Sequence, residues 1–461
     1  MPITILSALV AVTTVAVASL LCVALIGRDR GVRWSDLPFF FFLTLTLVYT
    51  ELSPTLAVAG RTLPLIEQRS GAYVRLQILL FLAFVLPLIG AYGWRRRATV
   101  SSHWPRERVR MTSKGWDVAL VAVAVLRLAI AWRYDLWQLR IGDAVVEKTN
   151  ATPFLTYSFF RLLVESQLPL VTVAAIRVSR SRATAARASF AFFVLVQSAF
   201  ALLNSRFSIL YLFVAAVFGL AIGRRPTIRI DRRVRRTVIV SLLGVYILGL
   251  AVLQLRAASN PPTSASRPLS LSVVADSQGT NRFNCADLLA QIAPFQDSPA
   301  GPGIWAGQVW NFKRFVDPVG FAAFRQTLVT SAKSQLILRY LGQRQSDYFS
   351  CMLTDGYGAL GPWGALLLGL LCGLALRATA VLIESDRLAL MFTGAWLAWQ
   401  VLVFEQEAGS LLFSWPLRLP LLALLLFAAR LMTIPDRLTR TRPTYPDPTA
   451  LVGHDDVEPV R

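Results

Sequence analysis

Histidine is almost missing from this chain: His103 and His454 are the only two in 461 residues. That excludes a His-rich metal site. Both also fall in segments assigned below to the cytoplasm, so no histidine base is available on the outer face. Cysteine is scarce as well. Cys22, Cys285, Cys351 and Cys372 show no metal-ligand spacing, and Cys22 and Cys372 lie in apolar runs, where cysteine serves as a small hydrophobe. Lysine is reduced to Lys114, Lys148, Lys313 and Lys333 among 47 basic residues, a bias that a GC-rich coding sequence produces without functional cause. Charged residues make up 16% of the chain, against 55% apolar residues and a mean hydropathy of +0.54.

What fills the chain instead is a series of apolar runs, several of them about 20 residues long, the length a helix needs to cross a bilayer core. The formal charge of +21 would point to nucleic acid in a soluble protein. Here the basic residues sit between the runs, where membrane orientation accounts for them, and nucleic-acid binding is set aside on that ground.

Spans are expected near 3–26, 37–59, 74–93, 116–133, 153–176, 188–203, 207–222, 237–255, 357–376, 388–404 and 410–429, which makes an all-α polytopic membrane protein of about 11 transmembrane helices. The first run has no charged n-region and exceeds the usual h-region of about 7 to 15 residues, so it reads as a retained span. Alternate gaps hold the arginines. Residues 27–36, 94–115, 177–187, 223–236, 377–387 and the tail from 430 carry 28 basic residues, whereas 60–73, 134–152, 204–206 and 405–409 carry 5. Because cytoplasmic loops retain Lys and Arg, the N-terminus is expected outside and the tail inside. The same parity requires two spans flanking Asn204-Ser205-Arg206, since one long helix over 188–222 would translocate a basic cluster. The expected organisation is 1–255 with eight spans, an external segment 256–356, 357–429 with three spans, and a Pro-rich acidic tail 430–461 read as disordered and cytoplasmic.

The external segment divides in two. Residues 256–317 are rich in Pro, Ser, Gly and Asp and read as loop, with a short helix near Cys285–Ile292. From Pro318 to Gln345, Phe321, Phe324, Leu328, Leu336, Ile337, Tyr340 and Leu341 recur near helical spacing among Arg325, Lys333, Arg339 and Arg344. This predicts one or two amphipathic helices on the outer membrane surface. Nine basic and six acidic residues leave 256–356 at +3. Arginine forks above an apolar floor suit a lipid-linked pyrophosphate; a basic face resting on lipid headgroups is the alternative. Cys285 and Cys351 share this segment, an oxidising location in a bacterial envelope protein, so a disulfide between them is expected. It would close a loop of about 65 residues and contribute about 4 kcal/mol on the chain-entropy account; two unpaired thiols are the alternative.

Glu51, Arg127, Arg161, Glu165 and Arg418 fall inside spans, where an ionisable residue is costly and by default functional. Arg161 and Glu165, four apart, share a helix face and can pair. Alternatively Arg161 contributes to a cationic cavity opening outward, with Arg127, Arg418 and Glu51 at comparable depths. For Arg127 and Arg133, snorkelling to the surface is a further alternative. Gly369 and Gly373 form a GxxxG that helix packing alone explains.

Ten to twelve spans, the Asn204-Ser205-Arg206 turn before Phe207, a large external segment late in the chain, and Tyr348 to Gly373 are the features that carry a resemblance. In the last, Asp355-Gly356-Tyr357-Gly358-Ala359-Leu360-Gly361 leads into a helix. Together they resemble the bacterial O-antigen polymerases, the Wzy-type oligosaccharide repeat unit polymerases. Asp355 stands where an Asn is common in that family. The resemblance covers the architecture of the whole chain but only these two short motifs in residues.

The resemblance implies a GT-C-like membrane glycosyltransferase that joins polyprenyl-pyrophosphate-linked glycan units on the outer face of the cytoplasmic membrane. It implies no metal, cofactor or nucleotide sugar, and as partners the bilayer, a flippase and a chain-length regulator. Leaving-group stabilisation then falls to arginines: Arg206, Arg256 and Arg339, with Arg161 and Arg344 behind them. Glu165, Asp347 and Asp355 are unranked candidates for orienting or deprotonating the acceptor hydroxyl. Tyr348 and Tyr357 are candidates for stacking on sugar rings, with interfacial anchoring the alternative. Three rivals remain. The O-antigen ligases are similar in architecture, but that resemblance implies an external His. A metal-dependent GT-C transferase would carry paired acids in the first external loop, where 60–73 offers only Glu67. A lipid-linked glycan flippase or transporter would use Arg127, Arg161 and Arg418 as an anion path.

Overall fold

A computed structural model describes residues 3–27, 33–52, 55, 66–94, 114–136, 154–180, 183–204, 206–224, 299–305, 332–341, 351–385 and 388–403. Among these residues the regular elements are helices and no strand forms. Helix α1 (Ile3–Cys22) runs on into a π turn, Val23–Gly27. Helix α2 (Leu37–Leu47) follows a 3-10 turn at Trp34–Asp36 and ends in a second π turn, Val48–Leu52. Helix α3 (Ile66–Leu80) passes through a third, Phe81–Val85, into α4 (Leu86–Gly93). There follow α5 (Lys114–Tyr134), α6 (Phe154–Arg180), α7 (Thr184–Asn204), α8 (Arg206–Arg224), a 3-10 turn at Pro302–Trp305, α9 (Ala332–Leu341), α10 (Met352–Leu360), α11 (Pro362–Ile383) and α12 (Leu388–Leu402).

Four helical stretches are long and apolar enough to cross a membrane, Ile5–Leu25, Val74–Gly93, Thr184–Ala201 and Pro362–Ile383; Tyr211–Gly223 and Leu390–Leu402 are shorter apolar helices. Helix α1 turns its apolar side chains outward, with Val12 70% exposed and Leu9, Leu20 and Val23 more than half exposed. A contiguous apolar face of this kind is costly against water and costs nothing against lipid. Trp94, Trp132 and Trp363 are exposed at or next to helix ends, where aromatic belts meet the membrane interface. The spans expected at 237–255 and 410–429, the tail, and most of 256–356 lie outside the described residues.

Local chemistry explains the irregular turns. Pro87 lacks an amide proton and its ring would collide with the carbonyl four residues back, so an α-helix would break there. The π turn at Phe81–Val85 sits on that stretch and the backbone stays helical through Leu80, Val85 and Leu86. Between α10 and α11 the chain turns at Gly361, whose φ of 62° suits a residue without Cβ, and Pro362 opens the next helix. The boundary expected at 356/357 between external segment and span therefore falls inside a short helix, α10.

Paired contacts fix the direction in which helices run. Asp117 and Arg127 of α5 meet Arg177 and Gln167 of α6, so these two are antiparallel. The same two residues meet Ser189 and Gln197 of α7, which is therefore parallel to α5. Gly219 and Gly223 of α8 lie against Thr172 and Ile176 of α6, so those helices are parallel. It follows that α7 and α8 are antiparallel, and 188–222 is two helices, not one. At Gly369 and Gly373 of α11 an added Cβ would lie 2.5 Å from the carbonyl oxygens of Phe84 and Leu88. The GxxxG is thus a close seam between α11 and the α3–α4 rod, running parallel. Ser7 bonds Gln77 and Leu25 covers Gly93, which sets α1 parallel to the same rod. Phe39 stacks on Tyr92 at 3.9 Å and Phe42 packs on Phe84 at 6.4 Å, which sets α2 antiparallel to it. Trp399 of α12 donates to Thr172 Oγ1 of α6 at 2.9 Å and packs on Phe218, joining the two groups of helices.

Candidate functional site

Arg127 is a buried cation of the bundle. It is 2% exposed, and so it does not snorkel: α6 and α7 close over it at the level where Phe160 and Phe200 stand 6.0 and 4.0 Å from its guanidinium carbon. Its Nη1 donates to Gln167 Oε1 at 2.8 Å and, at shorter range, to Gln197 Oε1. Among the described residues no carboxylate meets it. Two donors stay without an acceptor at this point, Arg127 Nε and Gln197 Nε2. A desolvated guanidinium held by neutral carboxamides and aromatic faces keeps its charge uncompensated, and an anion is what offsets it.

Two of the arginines expected to bind substrate fall on α6 and α8. Arg161 lies on α6 directly after Phe160. The parallel register of α8 on α6, Gly219 at Thr172 and Gly223 at Ile176, carries back along both helices to put Arg206, the first residue of α8, level with Phe159–Arg161. Glu165 is on α6 two residues before Gln167, and positions two apart do not share a helix face. Glu165 therefore does not neutralise Arg127. The signal that would have found Arg127 in the sequence is Gln167 and Gln197: three strongly polar residues sit in the middle of three consecutive apolar helices.

A second group forms around α10. Met352 to Ala359 are all buried there, with Asp355 completely so. Two described pieces of the polar segment hold this helix. Ala300 and Gly301 donate their backbone N–H groups to the carbonyls of Gly358 and Ala359, both at 2.9 Å. Leu336 of α9 lies against Gly358, where an added Cβ would stand 2.5 Å from a Leu336 methyl group. The buried stripe of α9, Ala332 and Leu336, thus covers protein, while Arg339 is exposed and sends Nη1 to Ala300 O at 3.4 Å. Burial pushes the Tyr340 phenol up, an effect that Arg339 and the Ala300 backbone oppose. Arg339 is thereby tied through Ala300 to Gly358 of α10, the helix that carries Asp355.

The remaining expectations are placed as follows. Cys351 caps α10, fully buried, with Sγ 3.2 Å from Thr354 Oγ1; Cys285 lies outside the described residues, and with it the expected disulfide. Asp347, Tyr348, Arg256, Arg344 and Arg418 also lie outside them. Tyr357 is buried on α10. Away from these groups, polar contacts tie helix ends together. Arg177 makes a two-armed ion pair with Asp117, at 2.5 and 2.9 Å, and Ser189 donates to the same carboxylate at 3.0 Å. Arg33 and Ser35 both bond Glu384, at 2.8 and 2.6 Å, and Tyr92 donates to Asp36 at 2.5 Å. No set of three or more His, Cys, Asp or Glu placed to hold a metal ion occurs among the described residues. Compared with protein-family models, with curated proteins and with solved structures, the chain matches none.

Proposed function

We propose that this chain is a membrane-embedded polysaccharide polymerase that joins polyprenyl-pyrophosphate-linked oligosaccharide repeat units on the outer face of a bacterial cytoplasmic membrane. The observation that supports it best is Arg127, a buried guanidinium that meets no carboxylate among the described residues; Arg161 lies on the neighbouring α6 and Arg206 opens α8. In this reading the three arginines hold the pyrophosphate of one lipid-linked chain as its glycosidic bond to phosphate breaks, a developing charge they can stabilise without a metal. Asp355, beneath the α9 cover, orients or deprotonates the attacking hydroxyl of the second chain. Arg339 at the rim of that cover meets the incoming anionic head. The architecture in this reading is GT-C-like with eleven spans, the N-terminus outside and the tail inside.

The test is genetic and chemical. Deleting the gene, or replacing Arg206 with Ala, is expected to abolish long-chain glycan while single repeat units persist on the outer face. Unchanged glycan in both strains contradicts the proposal. The same buried arginine also favours a second reading, transport of an anionic lipid-linked glycan; accumulation of lipid-linked units on the cytoplasmic face of the deletion strain selects that one.

A further inference from the structure

Glu51 is 1% exposed, and neither of its carboxyl oxygens has a hydrogen-bond partner. It lies on the π turn Val48–Leu52, against α1, α2 and α3. The hydroxyls that approach its carboxyl group are Thr14 of α1 and Thr50 of its own turn. Thr14 gives its proton to Val10 O at 2.9 Å, and the Thr50 hydroxyl is buried without a partner. No cationic side chain meets Glu51 among the described residues. The other groups that titrate or carry charge on the surrounding elements are Tyr49 on the same turn, Cys22 alone on α1, and Glu67, Arg69, Tyr73 and Arg75 on α3.

One turn away the polarity continues. Thr55 Oγ1 and Gln77 Nε2 both donate to the Glu51 backbone carbonyl, at 2.8 and 3.0 Å. Gln77 Oε1 accepts from Ser7 at 2.9 Å, and Ser7 and Thr55 hydroxyls lie 3.2 Å apart. These side chains form a polar track from the Glu51 backbone carbonyl toward the end of the bundle where α1 begins. A π turn serves this arrangement, because its i→i+5 bonding rotates side chains out of α-helical register and recurs at functional sites.

We infer that Glu51, Thr14 and Thr50 form an intramembrane binding site for a small monovalent cation, a proton or Na+, exchanged along the Ser7, Thr55 and Gln77 track. The donors are hard oxygens only, which suits these ions and not zinc or copper. One carboxylate balances one positive charge, whereas a divalent ion would leave an excess charge in the membrane. The site is independent of the glycan-polymerase reading.

Purified full-length protein in lipid nanodiscs is treated with dicyclohexylcarbodiimide, an apolar reagent that modifies protonated carboxyl groups in apolar surroundings, and modification at Glu51 is read by peptide mass spectrometry. For a proton, labelling falls about tenfold per pH unit above its midpoint, whatever salt is present. For Na+, labelling is suppressed by sodium chloride and not by equal potassium or choline chloride, and Thr50→Ala raises the sodium needed several-fold. Glu51→Gln removes the adduct in either case, and the peptide-resolved wild-type result stands if that variant does not fold. An absence of Glu51 labelling in choline medium at every pH, or labelling indifferent to both pH and cation, overturns the inference.

Discussion

Arg127 and Arg177 are buried arginines on neighbouring helices, yet the same substitution is expected to act on them in opposite directions. Arg177 faces the Asp117 carboxylate in a two-armed pair. Arg177→Met leaves that carboxylate without its cation and is expected to lower stability by about 3 kcal/mol. Arg127 meets no carboxylate among the described residues, so Arg127→Met removes a desolvated charge and is expected to leave stability unchanged or raise it by about 1 kcal/mol. Thermal unfolding of both variants in detergent checks the pair; a larger loss for Arg127→Met means that its charge is satisfied within the protein. On the proposed function the same variant loses about 100-fold in polymerisation rate, the usual size of one lost contact to a developing negative charge. The sequence marked Arg127 as intramembrane but left snorkelling open. Hydropathy along a chain registers what a residue is, not which neighbouring helices close over it.

Among helices, the close seams are where small residues matter. An added Cβ at Gly373 would meet the Leu88 carbonyl and the Ala91 side chain, and one at Gly369 the Phe84 carbonyl. Gly369→Ala and Gly373→Ala are therefore each expected to cost about 1 to 3 kcal/mol, by forcing α11 away from the α3–α4 rod. Gly90, two residues past Leu88 on that rod, has nothing within 4 Å of such a Cβ. Gly90→Ala is expected to stabilise by about 0.5 to 1 kcal/mol through helix propensity alone. Midpoints of thermal unfolding for the three variants measure this directly. Helices such as α1, α7 and α11 were legible because apolar runs of bilayer length have few other solutions. The α10 helix was not, because nine residues ending at Gly361 carry too little periodicity to stand apart from the span that follows. The π turns leave no pattern at all; only Pro87, downstream of one of them, hints that the helix must change its bonding there.

At the scale of the whole molecule, the contact-defined helix directions agree with alternate crossing: α1, α2 and the α3–α4 rod alternate, and α5 to α8 alternate. Two spans rather than one over 188–222 follow from both the arginine pattern and the Asn204 to Arg206 break. Which end faces out rests on the arginines alone, and labelling tests it. In a variant lacking the four native cysteines, Ser264→Cys is expected to react with a membrane-impermeant maleimide in intact cells, and Ser101→Cys only after permeabilisation. The reverse pattern inverts the topology and moves the polar segment to the cytoplasm. The chemistry of that segment is less legible in the sequence, because Arg339 is tied to α10, the helix of Asp355, through Ala300, a residue without any chemical signature of its own. The most direct measurement is reconstitution of the purified chain in liposomes with polyprenyl-pyrophosphate-linked repeat units and excess EDTA, with products separated by size. A ladder of lengthening glycans whose growth Asp355→Asn and Arg127→Met slow by about 100-fold is the predicted result; repeat units that stay single with wild-type protein, or a ladder that both variants leave intact, contradict it.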